Sequence, residues 1–218
     1  MCLLVTETHV PTFQSFVECG IQRFAKQYNQ SYVQDWDTQF EEQKMIVRFT
    51  RQDLSECEQA ASLRWQLARA AKVANQKKDP ARSDHDIDLL GVKGELAVAR
   101  VFQIDHDIHK GGIDKNIDMW DNDVSFDVKA TFAQAGHLIF KDTKFFKADV
   151  AILVTPHDIP DSVHVAGWIG RKEFIEKAKD IDFGNGACPA MHCDELRQIP
   201  ELWKFMTIRR VGRLPNKL

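Results

Sequence analysis

The segment Val124–Ala130 alternates apolar and polar residues, and this alternation constrains the fold more than any other feature of the chain. Successive side chains of a β-strand point to opposite faces of a sheet. Phe126 and Val128 therefore share the face that packs on the core, and Asp127 and Lys129 share the other face. The pattern predicts a strand that carries an acid–base pair on one face.

The preceding residues extend this strand into a hairpin. Ile117–Trp120 also has strand character, and Asp121–Asp123 between the two segments indicates a short turn. The turn places Asp118 opposite the second strand, so that the carboxylates of Asp118 and Asp127 converge beside Lys129. Carboxylates are suitable Mg²⁺ ligands, and an ammonium group can orient a water and offset developing phosphoryl charge. The hairpin predicts a site for metal-assisted hydrolysis, and the alternative is a polar strand face with a surface Lys–Asp pair.

An acid-x-Lys triplet carries little weight by itself, because the chain contains three of them: Glu42–Lys44, Asp127–Lys129 and Asp142–Lys144. Only the middle triplet has an acid nine residues upstream, which is Asp118. Only this triplet also combines strand alternation with a Glu-bearing helix ahead of it. The combination, rather than the triplet, favours the metal site.

Helical spacing dominates the first third of the chain. An amphipathic helix is predicted within residues 11–30, and a short strand at Met45–Phe49. Thr50 followed by Asp53 resembles a capping box that starts a helix running to about Asn75. The predicted inner face of this helix is formed by Leu54, Cys57, Ala61, Trp65 and Ala68, and its solvated face by Arg64, Arg69 and Lys72.

A second helix is predicted over Leu89–Phe102, with Asp88 as its N-cap. Gly91 and Gly94 lie beside Glu95 in this helix, where glycine permits close approach by another backbone. Further elements are predicted as strands at His137–Phe140, Asp149–Thr155 and Val163–Ile169 and as a helix at Arg171–Lys179. Either His137–Phe140 or Asp149–Thr155 would be the third strand of the core, after the two strands of the hairpin.

The motif Gly91-Val-Lys-Gly-Glu95, followed by Asp118 and then by Asp127-Val-Lys129-Ala-Thr, resembles the PD-(D/E)XK nuclease superfamily. The resemblance covers about Asp88 to Ile169. It is nearest to small stand-alone nucleases often encoded by phages and prophages, which also show a Gly-Trp strand such as Gly167-Trp168. The resemblance implies a core of helix, three antiparallel strands, helix and strand that cleaves nucleic-acid phosphodiesters with Mg²⁺.

The same resemblance implies a role for each matching residue. Asp118 and Asp127 would be metal ligands, with the Val128 carbonyl as a third ligand. Glu95 would be an accessory ligand, directly or through water, and Lys129 would be the catalytic lysine. Mg²⁺ is the expected cofactor, and Mn²⁺ should substitute for it.

Three features of the sequence differ from the family pattern. Ile117 stands where a proline often precedes the first acid, and Asp114 competes with Asp118 for the upstream role. The recombination exonucleases of the superfamily carry a Gln and a Tyr after the lysine. Gln134 is present, but the two tyrosines, Tyr28 and Tyr32, lie far upstream. An endonuclease is therefore favoured over an exonuclease.

The predicted fold class is α/β, with a restriction-endonuclease-like core whose mixed central sheet is flanked by helices. Residues 1–83 form an N-terminal, mainly helical extension, and residues 84–218 form the nuclease core with a basic C-terminal tail. We expect an intracellular, cytoplasmic protein, since no apolar run approaches the length of a membrane span and the five cysteines are scattered. The net charge of −3 excludes a generically basic nucleic-acid coater.

The predicted activity is divalent-metal-dependent hydrolysis of DNA phosphodiester bonds. Duplex DNA is the expected partner, and branched or single-stranded DNA is the alternative. The sequence does not decide whether the chain forms a homodimer. Two other functions remain: a catalytically silent nuclease-fold module that binds DNA or a partner, and an RNA-processing nuclease. The residues predicted to contact nucleic acid are Lys141, Lys144, Lys147, Arg209 and Arg210.

The remaining metal-binding residue types are predicted to have ordinary structural roles. Cys188 and Cys193 flank His192, but four local ligands are needed for a structural zinc site, and no second Cys or His pair lies nearby in sequence. His106 and the other histidines of the acidic stretch are predicted to be surface residues.

Overall fold

The computed structural model describes residues 45–71, 82–109, 117–184 and 186–212, and these form a mixed α/β structure. The chain divides into two compact units, one comprising Lys44–Ile199 and the other Met1–Gln43 with Pro200–Leu218. The helix predicted within residues 11–30 lies outside the described residues, as does Asp114. No helix among the described residues is long and apolar enough to cross a membrane.

Eight strands and four α-helices lie within the described ranges. The strands are β1 (Ile46–Arg48), β2 (Met119–Asp121), β3 (Val124–Ala130), β4 (His137–Ile139), β5 (Val150–Pro156), β6 (Ser162–Gly170), β7 (Lys179–Asp182) and β8 (Ala187–His192). The helices are α1 (Arg51–Ala70), α2 (Asp84–Phe102), α3 (Arg171–Lys177) and α4 (Ile199–Gly212). From Pro200 onward, α4 belongs to the second unit, and its side chains Leu202, Phe205 and Met206 are buried.

The main sheet is curled and mixed, with the strand order β1-β6-β5-β3-β2. β3 and β5 run parallel, and the other neighbouring pairs run antiparallel. The main-sheet neighbour that follows β3 is therefore β5, whereas β4 belongs to another sheet, and because β5 runs parallel to β3 neither segment is the third antiparallel strand that the resemblance implies. The predicted turn is also confirmed, because Asn122 and Asp123 join β2 to β3 and Asn122 has a positive φ of 56°.

A second, three-stranded sheet has the order β4-β8-β7. It contributes to a buried cluster that covers the Ala151 and Leu153 side of β5. In this cluster, the rings of Phe140 and Phe146 stack with their centroids 4.5 Å apart, and both meet Phe174 of α3 edge-on. α3 ends at Lys177, two residues before the predicted end, because Ala178 is extended and leads directly into β7.

Helix α2 packs on the opposite face of the main sheet. The position of a Cβ on Gly94 lies 3.3 Å from Ala130 Cβ and 3.4 Å from Val128 Cγ1, which is the close approach that the glycine predicts. The predicted N-cap, Asp88, is wrong: α2 begins at Asp84 with Ser83 as its cap. Ser83 and Asp86 form a reciprocal capping box, with hydrogen bonds of 3.0 and 3.2 Å, and this box lies one turn earlier than the predicted cap.

Helix α1 packs on α2 through Cys57, Ala60 and Ala61, which are fully buried. The Thr50–Asp53 capping box is confirmed, with hydrogen bonds of 2.7 and 3.2 Å. The predicted inner face is wrong at its C-terminal end, where Trp65 is 39% exposed and Ala68 is also exposed. α1 is described to Ala70, so the predicted end near residue 75 lies outside the described residues.

Candidate active site

The β2–β3 hairpin fixes the position of Asp118. Met119 pairs with Phe126 in the antiparallel ladder, and one residue earlier the Asp118 N–H donates to the Phe126 carbonyl at 2.8 Å. Continuing this register by one residue would place Asp118 opposite Asp127, but the Asp118 N–H bonds to the Phe126 carbonyl, one residue short of that position. Side chains of directly opposite residues lie on the same side of an antiparallel pair. Asp118 and Asp127 therefore occupy neighbouring positions at the end of the hairpin ladder.

The Asp118 side chain completes the hairpin. Its Oδ2 accepts a hydrogen bond of 2.5 Å from the Val128 N–H, at the first position beyond the end of the β2 backbone ladder. The carboxylate is thereby held at Val128, the residue between Asp127 and Lys129. The N–H and C=O of one strand residue point to the same side. The Val128 carbonyl consequently leaves β3 on the side where Asp118 lies.

Asp127 and Lys129 form an ion pair on the face of the main sheet opposite the one that α2 covers. The Lys129 Nζ binds Asp127 Oδ1, and the side chain of Asp127 is 1% exposed, whereas that of Lys129 is 35% exposed. The Lys129 Nζ also lies 5.1 Å from the centre of the Phe140 ring, which favours the cation. A buried carboxylate is costly unless a positive charge accompanies it. This position therefore requires a positive charge, and Lys129 supplies one.

The surroundings of this pair differ from a simple polar face. All side chains of β3 from Val124 to Val128 are buried, since α2 covers one face of the sheet and the Phe140–Phe146 cluster borders the other. Asp127 lies opposite Ala151, and Lys129 lies opposite Leu153. Low solvent exposure strengthens electrostatic interactions between the charged groups. The geometry suits chemistry that moves charge, such as hydrolysis of a phosphodiester.

Glu95 has different partners from those of the hairpin residues. It lies on α2, and Arg64 of α1 donates to its two oxygens in a bidentate pair with both distances 2.5 Å. His106 Nε2 lies 3.1 Å from Oε2. Burial alone would raise the pKa of Glu95, but the hydrogen bonds and charge of Arg64 and His106 outweigh it and lower the pKa below its usual range. The described hydrogen bonds of Glu95 thus go to Arg64 and His106.

These two partners correct the sequence interpretation. The side chain of Arg64 is 27% exposed and that of His106 is 11% exposed, so neither is the solvated residue that was predicted. A signal for Arg64 exists in the sequence, because it follows Cys57 by seven residues and Ala60 by four. Arg64 therefore continues the buried stripe of α1. Nothing comparable in the sequence indicates His106, which follows the end of α2.

The predicted nucleic-acid contacts are divided between the two units of the chain. Lys141, Lys144 and Lys147 are exposed, and Lys144 forms an ion pair of 2.9 Å with Asp142. The aromatic residues between them, Phe140 and Phe146, are core residues and do not present faces to a base. Arg210 is half-buried in α4, and the side chain of its neighbour Arg209 is outside the described part.

Residues 45–148 match the model of a family described as a family of unknown function, DUF5843. The match includes α1, α2, the β2–β3 hairpin and β4, and therefore all of Glu95, Asp118, Asp127 and Lys129. No curated protein and no solved structure matches the chain. Over these residues, the chain is similar to a family whose activity is not stated.

Proposed function

We propose that the protein is a divalent-metal-dependent deoxyribonuclease of the PD-(D/E)XK type, and an endonuclease. The observation that carries the proposal is the meeting of three charged groups at one point of the sheet. The Asp118 carboxylate accepts a hydrogen bond from the Val128 N–H. The residues on either side of Val128, Asp127 and Lys129, form an ion pair. Two carboxylates beside one ammonium are the groups that metal-assisted phosphodiester hydrolysis requires.

The donor set fits Mg²⁺. Asp118, Asp127 and the Val128 carbonyl offer hard oxygen atoms, which Mg²⁺ prefers over nitrogen and sulfur. Mg²⁺ would place positive charge beside the Asp127 carboxylate, whose side chain is 1% exposed. Mg²⁺ would supply polarisation of the scissile phosphate and increased acidity of a coordinated water. We expect Mn²⁺ to substitute.

The protein groups would each perform a separate task. Asp118 and Asp127 would hold the cation against the phosphate, and the register of the hairpin would keep their separation constant. Lys129, paired with Asp127 and lying over the Phe140 ring, would orient the attacking water and stabilise the negative charge that develops on the phosphate. Because the Lys129 side chain is 35% exposed, substrate would reach it from solvent.

The order of elements also supports the proposal. A helix carrying Glu95 is followed by the β2–β3 hairpin, then by β5 beside β3, and then by β6, which contains Gly167-Trp168. Two features differ from the expected core: where three antiparallel strands are expected, the described strands supply only the antiparallel pair of β2 and β3, and the connection between β3 and β5 is also different. It contains β4 and a single 3-10 turn, Thr143–Phe145, where the superfamily pattern has a helix. The restriction-endonuclease-like core is part of this proposal.

Glu95 would be an accessory group in this mechanism. Both of its oxygens are bound by Arg64, so a direct bond to a metal would require Arg64 to move away. A contact through water would leave the pair intact. Glu95→Gln should therefore reduce cleavage less than Asp127→Asn does.

The test is cleavage of a substrate panel by the full chain. The panel contains supercoiled plasmid, linear duplex, single strand, branched junction and RNA, each with Mg²⁺, Mn²⁺ or EDTA. We expect Mg²⁺-dependent cutting of DNA that is lost in Asp127→Asn and in Lys129→Met. Asp142→Asn is the matched control, because Asp142 belongs to another acid-x-Lys triplet with an ion pair, but its side chain is 42% exposed.

The outcomes separate the alternatives. Cutting restricted to RNA would identify the RNA-processing enzyme. Binding of DNA without cutting of any substrate would identify the catalytically silent module and overturn the proposal. Cutting that persists in EDTA, or in Asp127→Asn protein that is folded by circular dichroism, would refute the mechanism.

A further inference from the structure

We propose that His137, His192, Cys193 and Asp194 form a binding site for a transition-metal ion of the Zn²⁺ class at the end of the second sheet. This site is independent of the Asp118–Asp127 hairpin and takes a different class of metal. It would act as a structural clip between β4 and the chain that follows β8.

The end of β8 gathers three of these side chains. His192 is the last residue of β8, and Cys193 and Asp194 begin the 3-10 turn that follows it. One ligand atom from each of the three residues lies within 4.8 Å of the others. The backbone holds the turn in place, because the Cys193 N–H donates to the Gly136 carbonyl at 3.0 Å.

The distances between these atoms suit a tetrahedral metal. Zn²⁺ binds sulfur at about 2.3 Å and nitrogen or oxygen at about 2.0 Å. Tetrahedral angles then place sulfur and nitrogen, or sulfur and oxygen, about 3.5 Å apart and nitrogen and oxygen about 3.3 Å apart. The Cys193 Sγ lies 3.8 Å from His192 Nδ1 and 3.6 Å from Asp194 Oδ1, and His192 Nδ1 lies 3.3 Å from Asp194 Oδ2.

Binding needs only small adjustments of these side chains. The two distances to Asp194 involve different oxygens, so rotation of the carboxylate would present one of them to the metal. The Asp194 N–H donates to His192 Nδ1 at 3.3 Å, a long hydrogen bond that a metal on this nitrogen would replace. The side chain of Asp194 is 85% exposed, and solvent therefore reaches the site.

His137 would supply the fourth ligand by rotating its side chain, since its ring lies beside His192 but it is not among the three residues whose ligand atoms lie within 4.8 Å of one another. It stands directly opposite His192 in the β4–β8 ladder, and the two imidazole rings have centroids 4.9 Å apart. The sequence separates the two histidines by 55 residues, and the sheet joins them. Two imidazoles, one thiolate and one carboxylate select Zn²⁺ or Co²⁺ and do not bind Mg²⁺ or Ca²⁺ strongly.

The clip would lie where the second sheet needs support. β4 has only three residues, and it carries the chain from β3 towards Phe140, whose ring borders Lys129. A metal joined to His137 and to the turn after β8 would hold the β4 edge in register. Metal binding to the folded state alone raises its stability.

The test is titration of the full chain, freed of metal and reduced, with Co²⁺. A tetrahedral site with one thiolate gives strong visible bands together with a near-ultraviolet thiolate-to-cobalt band. We expect these bands to saturate at one equivalent, to be displaced by Zn²⁺ and to be absent from Cys193→Ser. His137→Ala should lose the tetrahedral visible pattern. Zn²⁺ at a hundredfold excess over Kd should raise the Tm by about 5–10 °C.

Two control variants make the outcome specific. Cys188→Ala removes the other sulfur of β8, which is buried and contacts the Ile181 carbonyl, and it should retain the bands. Asp127→Asn should also retain them, because the nuclease hairpin takes no part, so loss of cleavage and loss of cobalt binding are separable. The proposal is overturned if no thiolate band forms, if it survives Cys193→Ser, or if Cys188→Ala abolishes it.

Discussion

Replacing Arg64 by methionine should destabilise the protein and change how its stability depends on pH. Arg64 donates two hydrogen bonds of 2.5 Å to Glu95, whose side chain is 9% exposed. Methionine keeps much of the volume of the arginine stem but removes the charge. The variant leaves a buried carboxylate with His106 as its remaining described partner.

The expected loss is about 3 kcal/mol. Removing one partner of a buried ion pair costs about 3–5 kcal/mol, because the other charge is left without compensation. The lower end applies here, since the Arg64 side chain is 27% exposed and His106 still donates to the carboxylate. For a chain of this size, the loss corresponds to a fall in Tm of about 6–12 °C.

The pH dependence gives the sharper result. In the native protein, burial favours the neutral acid, but Arg64 and His106 outweigh burial and lower the pKa of Glu95. A lowered pKa adds stability above the unfolded-state pKa of about 4.3, and this stability is lost as the pH falls through the folded-state pKa. Without Arg64, burial dominates and raises the pKa, so stability is lost as the pH rises. The stability gap between the two proteins should widen from about pH 5 to about pH 8.

Urea unfolding across this pH range measures the gap, and Arg69→Met is the matched control. Arg69 also joins α1 to α2, through a 3.0 Å bond to Asp84, but its side chain is 62% exposed. The control should change stability by no more than about 1 kcal/mol, with no trend in pH. Arg64→Met combined with Glu95→Met should recover much of the loss. Equal losses for the two arginine variants, or a gap that stays constant with pH, would refute the reasoning.

Three further predictions concern the packing of the same unit. Gly91→Ala, where an added Cβ has no neighbour within 4 Å, should stabilise the chain by up to about 1 kcal/mol in urea unfolding. Gly94→Val should destabilise it by about 1–3 kcal/mol. Similar effects of the two variants would contradict the packing of α2. Hydrogen bonding by Arg100 lowers the pKa of Asp53 to about 2, so the stability lost in Asp53→Asn should diminish as the pH falls from about 5 to about 2, and a constant loss would contradict the pairing. Phe146→Ala should cost about 3–5 kcal/mol in thermal unfolding because the ring is fully buried, and a loss below about 1 kcal/mol would place it outside the core.

Features encoded by neighbouring residues could be predicted from the sequence. The alternation in β3, the turn at Asn122 and the Thr50 capping box all depend on residues within a few positions of one another. The choice between two nearby caps was harder, because Ser83 and Asp88 both precede apolar helical residues. The completed hydrogen bonds of Ser83 with Asp86 decide the start of α2.

Features that depend on distant residues could not be predicted in the same way. The assignment of β4 to the second sheet requires its pairing with β8, and no local pattern in His137–Ile139 indicates that partner. The role of Arg64 depends on where Glu95 lies after α1 and α2 have packed. The register of β2 on β3 could be predicted, because a two-residue turn fixes it.

The strands of the second sheet are far apart in the chain, and this separation sets the order in which they are synthesised. β4 leaves the ribosome within the crossover between β3 and β5, but its partner His192 follows His137 by 55 residues. At ordinary translation rates, β4 waits roughly 3–11 seconds for β8. Before the interval ends, both β3 and β5 have been synthesised, as has Phe140, whose ring lies 5.1 Å from the Lys129 Nζ, whereas β8 has not. Until β8 has been synthesised, β4 therefore lacks its neighbour in the second sheet.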